Sequence, residues 1–171
     1  DIKYILDNYN KPCFDLWEEF FGWHFYTRLV QLKFVKEFIK LNNEHKLFDN
    51  FNIINDVYNE LLNRLSDHMG EDNIISSFDD KGNITKVYDS SCILGLCHID
   101  FDFEIFKKIG KKRFDNHCKE LINYFNNKYS KKTNLIGRYK NDKYYNGHSW
   151  IICSLSISQY NFFVNKHYNM I

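Results

Sequence analysis

Alanine is missing from this chain altogether, and proline occurs once, at Pro12. The gap is matched by an excess of residues with AT-rich codons, 21 Asn, 18 Ile, 16 Phe and 12 Tyr together with many Lys. Mutational bias at tolerant surface positions accounts for much of the Asn and Lys, which removes the Asn-rich runs as an argument for prion-like behaviour. A single proline and seven glycines leave no Pro-rich or Gly/Ser-rich linker, and no internal repeat marks a solenoid. Charge of one sign is lacking too. With 23 Lys and Arg against 22 Asp and Glu, the net charge near +1 offers no sustained field for a nucleic acid or an acidic membrane, so neither partner is expected. The densest basic run, Lys107, Lys108, Lys111, Lys112 and Arg113, lacks interleaved aromatics on its own face and reads as a solvated helix start. No stretch approaches the roughly 18 apolar residues of a membrane span, and no charged-then-apolar leader opens the chain. C-x2-C pairs are absent as well, Cys92-x4-Cys97 being the nearest spacing. Cys13, Cys92, Cys97, Cys118 and Cys153 sit in apolar contexts at irregular spacings, so free thiols are expected, and Cys92, Cys97 and His98 with His117 and Cys118 do not have the spacing of a structural zinc site. No metal is expected. Asn83-Ile84-Thr85 is the one N-glycosylation sequon, relevant only to a secreted chain.

What remains is aromatic, aliphatic and periodic. From Phe25, apolar residues recur at Leu29, Leu32, Val35 and Ile39 with basic residues largely opposite, predicting a helix from about 24 to 41. Phe51, Ile54, Tyr58, Leu61, Leu65 and Met69 predict a second, opened by Asp49 or Asn50 and closed at Gly70. The short connection favours an antiparallel pair. Around Asp79-Asp80-Lys81-Gly82 the pattern changes, and residues 74–88 predict a small β-hairpin. Asp89-Ser90-Ser91 then caps a short apolar helix through Leu96, and Phe114, Cys118, Leu121, Phe125 and Tyr129 make another, ending in the polar run 130–134. Residues 135–149, with Gly137 and Gly147, predict a long loop of the kind that carries function. From Trp150 to His167 apolar residues fall on nearly all faces, as in an inner helix buried on both sides, with Ser149 as its cap.

The chemistry concentrates at Asp15-Leu16-Trp17-Glu18-Glu19, where two adjacent carboxylates stand beside an indole. Cleavage of a glycosidic bond needs a carboxylic acid kept protonated near neutrality, and an aromatic wall both stacks on a pyranose and raises the carboxyl pKa by desolvation. Ser90 or Ser91 with His98 or His117 offers no acyl-transfer site, because no G-x-S-x-G elbow surrounds either serine. The stretch D-L-W-E-E, followed by Gly22, Phe25, Tyr26, Thr27 and Gln31, resembles the general-acid segment of the glucoamylases, the inverting glucan 1,4-alpha-glucosidases of glycoside hydrolase family 15, and most closely the fungal and yeast type. Gly137-Arg138-Tyr139-Lys140-Asn141-Asp142, then Tyr144-Tyr145-Asn146-Gly147 and Trp150, resembles a later stretch of the same family, departing from it at Lys140, Asn141 and His148-Ser149. The resemblance is strongest over 1–41 and 134–168.

That resemblance implies an all-α chain forming part of an (α/α)6 barrel, with the one hairpin near 74–88. Residues 1–171 would then be a partial catalytic domain, running from the general-acid segment through the sugar-binding Arg/Asp loop, with the catalytic-base segment absent. The implied reaction is release of glucose from non-reducing ends of α-1,4-glucans such as starch, glycogen and maltooligosaccharides, with inversion and no cofactor. Glu18 would be the general acid. Glu19, Arg138 and Asp142 would grip sugar hydroxyls, and Trp17 and Trp150, with Tyr144, would wall the pocket. Asp15 is expected to order the turn and, if ionised, to keep the acid protonated by like-charge repulsion. If a base were present after all, Asp15, Glu19, Asp89 and Asp142 are the nearest candidates. The family's usual compartments would be secreted or vacuolar, and the rest of the barrel would be a partner. Two other readings compete, a carbohydrate-binding pseudoenzyme and a regulatory subunit of phosphorylase-kinase type. The intact W-E-E argues against the second.

Overall fold

The computed structural model describes residues 1–129 and 135–168. The expected end of a helix at 130–134 lies outside the described residues. Among the described residues, seven α-helices and a small sheet follow in the order α1 (Ile2–Asn8), β1 (Cys13–Phe14), β2 (Phe21–His24), α2 (Phe25–His45), α3 (Phe51–Ser66), β3 (Ser77–Phe78), β4 (Ile84–Lys86), α4 (Ser91–His98), α5 (Phe103–Ile109), α6 (Lys111–Lys128), a 3-10 turn (Tyr144–Gly147) and α7 (Ile151–Tyr168).

The α2–α3 pair forms as its periodicity predicts. Phe25, Leu29, Leu32 and Val35 of α2 face Ile54, Val57, Leu61 and Leu65 of α3, and all eight are buried. Lys46 ends α2 in the left-handed conformation, at φ 53°, and its N–H bonds the Asn42 carbonyl. The buried Asn42 side chain then accepts from Phe48 N at 2.7 Å and donates to Phe48 O at 3.2 Å, which staples the short connection. α3 runs back along α2, so that Arg28 near the start of α2 donates to the carbonyl of Arg64 near the end of α3 at 2.6 Å. The buried helix α4 packs on α2, where a Cβ on Gly95 would come within 3.2 Å of both Leu29 and Tyr26.

The predicted hairpin is half of a larger element. The sheet has four antiparallel strands in the order β1-β2-β3-β4, because the Asp15 motif makes a hairpin of its own, pairing Cys13 with Gly22 and Phe14 with Phe21. The strands of two to four residues around that turn carry too little alternation to register as a period. Gly22 is required there: an added Cβ would lie 2.0 Å from the Phe78 carbonyl oxygen on β3.

Two further expectations need correction. The basic run does not open one helix but straddles two, with Lys107 and Lys108 closing α5 and Lys111 to Arg113 opening α6 across Gly110, whose φ is 97°. And α7 is buried on one side only. Its Cys153, Ser156, Ile157, Tyr160, Phe163 and Val164 enter the core beside α4, whereas Ile151 (82% exposed), Leu155 and Phe162 (72% exposed) face outward. It also starts at Ile151, so Trp150 rather than Ser149 precedes its first turn.

Candidate functional site

The Asp15–Phe20 turn between β1 and β2 is closed by Asp15 N donating to Phe20 O at 2.9 Å and Glu18 N to Asp15 O at 3.0 Å. One oxygen of the Asp15 carboxylate accepts from the backbone N–H of Glu19 at 2.9 Å and of Phe20 at 3.2 Å. The helix proper begins at Phe25, so Glu18 and Glu19 are displayed by a β-turn and are not first-turn acids of a helix. Glu18 is exposed, takes a positive φ of 59°, and makes no side-chain hydrogen bond or ion pair among the described residues.

The second oxygen of Asp15 accepts from Lys86 Nζ at 2.5 Å. Lys86 reaches up from β4, is itself buried, and donates also to Asp89 at 2.8 Å, under the rings of Tyr139 and Phe20 at 4.4 and 4.7 Å from their centroids. Burial alone would raise the Asp15 pKa, but the Lys86 bond and charge, with the two backbone donors, hold it below the ordinary carboxylate value. Burial likewise works to lower the Lys86 pKa, and Asp89 and Asp15 more than reverse it. This corrects one expectation. The charge of Asp15 is countered by Lys86, so it orders the turn instead of repelling a charge on Glu18.

The distant loop meets the turn. Arg138 is buried and forks onto Asp142, Nε to one oxygen and Nη2 to the other, both at 2.8 Å, while Nη2 also donates to Glu19 at 2.7 Å. Glu19's other oxygen accepts from the Tyr139 hydroxyl. Asp142 accepts from Tyr144 N at 2.8 Å, and Arg138's bonds overcome its burial to keep its pKa low. Arg138 Nη1 has no protein acceptor among the described residues, Nε and Nη2 making the bonds to Asp142 and Glu19. Around the guanidinium stand the rings of Trp17, Tyr144 and Trp150, 5.5, 4.7 and 5.5 Å from its central carbon. Trp17 meets Trp150 edge to face at 6.0 Å, and its indole N–H donates to Asp89 at 2.9 Å. Gly147, at φ 61°, turns the chain there, with Lys128 and Tyr129 bonding its carbonyl at 3.0 and 2.7 Å.

Residues 120 positions apart in sequence therefore form one cluster: Trp17, Glu19, Arg138, Asp142, Tyr144 and Trp150, with Glu18 at its edge and Asp15 beneath. Lys86 and Asp89 were missed as its foundation. Nothing in a short strand distinguishes a buried lysine from an exposed one, although two buried acids with no cation assigned to them would have been a reason to look. The serines and histidines form no acyl-transfer triad: Ser90 Oγ donates to Cys153 and not to a histidine, His117 bonds the Asp89 backbone, and His98 pairs with the Tyr26 hydroxyl. All five cysteines are free. No group of three metal-ligating side chains occurs among the described residues, and no described helix is long and apolar enough to cross a membrane. A groove of about 920 Å³ along the outer face of α7, beside Phe101 and Phe103, holds one carboxylate, Asp100, and no guanidinium fork. A depression of about 490 Å³ adjoins the cluster at Tyr145, His148 and Trp150.

Solved structures place the fold in the helical-barrel class. A glucoamylase from Hormoconis resinae superposes with a TM-score of 0.79 at 22% identity over 93% of this chain and 28% of its own. One from Saccharomycopsis fibuligera gives 0.72 at 20% identity over 96% of this chain and 38% of its own. These are (α/α)6 barrels, and the fold here is that of part of one. More particularly, the chain belongs to the glycosyl hydrolases family 15, whose model matches residues 1–163. Among curated relatives, an intracellular sporulation-specific glucoamylase of Saccharomyces cerevisiae is 46% identical over 43 residues, 25% of this chain and 8% of that protein. A glucoamylase of Blastobotrys adeninivorans is 42% identical over 52 residues, 29% of this chain and 8% of that protein.

Proposed function

We propose that this chain carries the general-acid and sugar-gripping half of a glucoamylase-type site, which releases glucose from the non-reducing ends of α-1,4-glucans with inversion. The observation that carries the reading is the fork of Arg138 on Asp142 and Glu19, which leaves Nη1 open beside the turn that bears Glu18. A guanidinium fixed by two carboxylates and ringed by indoles gives directional recognition of one terminal sugar. Glu18, exposed beside Trp17 in the chain and with no partner among the described residues, would protonate the glycosidic oxygen. Inversion needs a second carboxylate about 6.5–9.5 Å away to activate water on the far face. Asp15, Glu19, Asp89 and Asp142 are each held by cations or N–H donors. That occupation favours a base supplied by residues outside this chain, and for the chain as it stands it favours the second reading, sugar binding without turnover.

The test pairs binding with turnover. Maltose titrated into the ¹⁵N-labelled chain is expected to shift the Trp17 and Trp150 indole signals with a Kd of about a millimolar, whereas cellobiose does not. No glucose should be released from maltose or starch, and Glu18→Gln should change nothing, since an unassisted water forfeits about 10²–10⁴ in rate. Turnover abolished by Glu18→Gln would place a base within these residues. Indole signals indifferent to maltose would remove the sugar reading.

A further inference from the structure

Among the described residues, Lys86 is the one cation bonded to Asp15 beneath the acid turn, and it joins that turn to the carboxylate that holds Trp17. Its ammonium binds Asp15 Oδ2 and Asp89 Oδ2 at 2.5 and 2.8 Å. Asp15's other oxygen holds the backbone of Glu19 and Phe20, and Asp89's other oxygen holds Trp17 Nε1 and Ser91 N. The ring of Tyr139 that covers the ammonium carries the hydroxyl bonded to Glu19. We propose that Lys86 is a positioning residue of the site, a single buried ammonium that sets the acid turn, through Asp15, and the Trp17 wall, through Asp89, in one mutual geometry. The proposal rests on the sugar-site reading only for what the turn and the indole are there to do.

The mechanism is electrostatic and so has a signature that packing lacks. Without the ammonium, two buried carboxylates whose oxygens now share one atom would face each other directly. Buried like charges at that separation cannot both stay ionised, and the pair takes up a proton with a raised apparent pKa. No neighbouring group substitutes for the lost cation. On β2, His24 is held by Ser77 and the Cys13 carbonyl, and burial lowers its pKa. On α6, His117 spends Nε2 on the Asp89 backbone and is likewise pushed towards neutrality by burial. Cys92 of α4 and Cys153 of α7 are thiols whose pKa burial pushes up, that of Cys153 to about 12. In the facing loop, Arg138 is committed to Asp142 and Glu19.

The experiment compares the chain with Lys86→Met, Lys86→Arg and the double variant Lys86→Met with Asp15→Asn. It reads maltose affinity by ¹⁵N NMR and hydrogen exchange of the Trp17 indole at about pH 5 and about pH 8. Exchange is read as protection relative to a free indole at the same pH, and by that measure and in maltose affinity the unsubstituted chain is expected to change by less than about threefold over the interval. Lys86→Met should lose about tenfold in maltose affinity and exchange its Trp17 N–H about tenfold faster at the higher pH, the scale of one lost charge-assisted bond, and recover both at the lower, where a shared proton replaces the ammonium. Lys86→Arg should stay within about threefold of the parent, since its charge is kept. The double variant should recover at both pH values, because the asparagine oxygen still accepts from Glu19 and Phe20 and the pair returns to the single net negative charge of the parent, carried by Asp89 and held by Trp17 Nε1 and Ser91 N. A loss in Lys86→Met that is equal at both pH values, or a double variant no better than the single one, overturns the proposal. If Lys86→Met does not fold, the double variant and Lys86→Arg decide it: both folded with parent-like indole exchange supports it, and a double variant that also fails to fold overturns it. If the unsubstituted chain ignores maltose, the sugar reading falls alone, and the pH dependence of indole exchange still decides the role of Lys86.

Discussion

The acid-turn end of the molecule and the outer face of α7 treat burial in opposite ways. At the turn, Asp15, Lys86, Asp89, Arg138 and Asp142 are all buried, yet each charged group has at least two hydrogen-bonding partners, drawn from three separate stretches of chain. On α7, Ile151, Leu155 and Phe162 are apolar and open to solvent, with Phe103 exposed alongside. Expensive groups are matched and cheap ones are not. A buried unpaired charge costs several kcal/mol, whereas an exposed leucine merely forgoes about 1.5–3 kcal/mol of burial. A chain can therefore hold its polar site in shape while leaving an apolar face uncovered, and the site's geometry does not depend on what covers that face.

The comparison breaks hardest at Arg138. Arg138→Ala leaves Asp142 and Glu19 facing each other without a cation, and should cost about 3–5 kcal/mol in urea unfolding and abolish the maltose response. Milder unfolding, by less than about 1 kcal/mol, would mean the fork is not buried in solution.

A smaller effect comes from pH and acts away from the site. Burial depresses the His68 pKa to about 3, with Arg28 close by adding to it. A histidine whose folded pKa lies below its unfolded value binds its proton preferentially when unfolded, so stability is present above pH about 6.5 and drains away as pH falls towards 3. The loss should approach about 4 kcal/mol. Asp15 and Asp142, held below the ordinary carboxylate range, keep their contribution until the pH falls beneath that range. Unfolding free energies measured from pH 8 to 4 should therefore decline first through His68, and His68→Gln should flatten that slope. A slope unchanged in His68→Gln would assign the acid loss to His24 and His117, whose pKa burial also lowers, or to the carboxylates.

The smallest effect on stability is expected on α7. Leu155→Ser with Phe162→Ser should alter unfolding by within about 0.5 kcal/mol, because neither side chain is buried. Sedimentation should nonetheless show less self-association than in the parent chain, whose open apolar patch favours it. A large loss of stability would show that the face is covered within the monomer.

Much of this was legible in the sequence, for identifiable reasons. Long amphipathic stretches announce themselves by period, and α2, α3, α4 and α6 lie where Phe25–Ile39, Phe51–Leu65, Cys92–Leu96 and Phe114–Tyr129 place them. The W-E-E and G-R-Y segments could be paired because a motif constrains spacing as well as composition. The short elements were not legible. α1 and α5 span seven residues each, and β1 spans two, too few for any period to rise above composition. Likewise α7, apolar all round, has a period too weak to say which side the core would take.

By itself, the sequence determined a helical chain with one acid-bearing turn and one arginine-bearing loop, because periodicity and spacing are local properties. Only the tertiary structure decided that Arg138 binds Glu19, that Lys86 rather than solvent neutralises Asp15 and Asp89, and that one face of α7 stays open. Each of these depends on which side chains meet across 70 to 120 intervening residues. Whether a charge is buried, and with whom, is a property of that meeting and not of any residue in it.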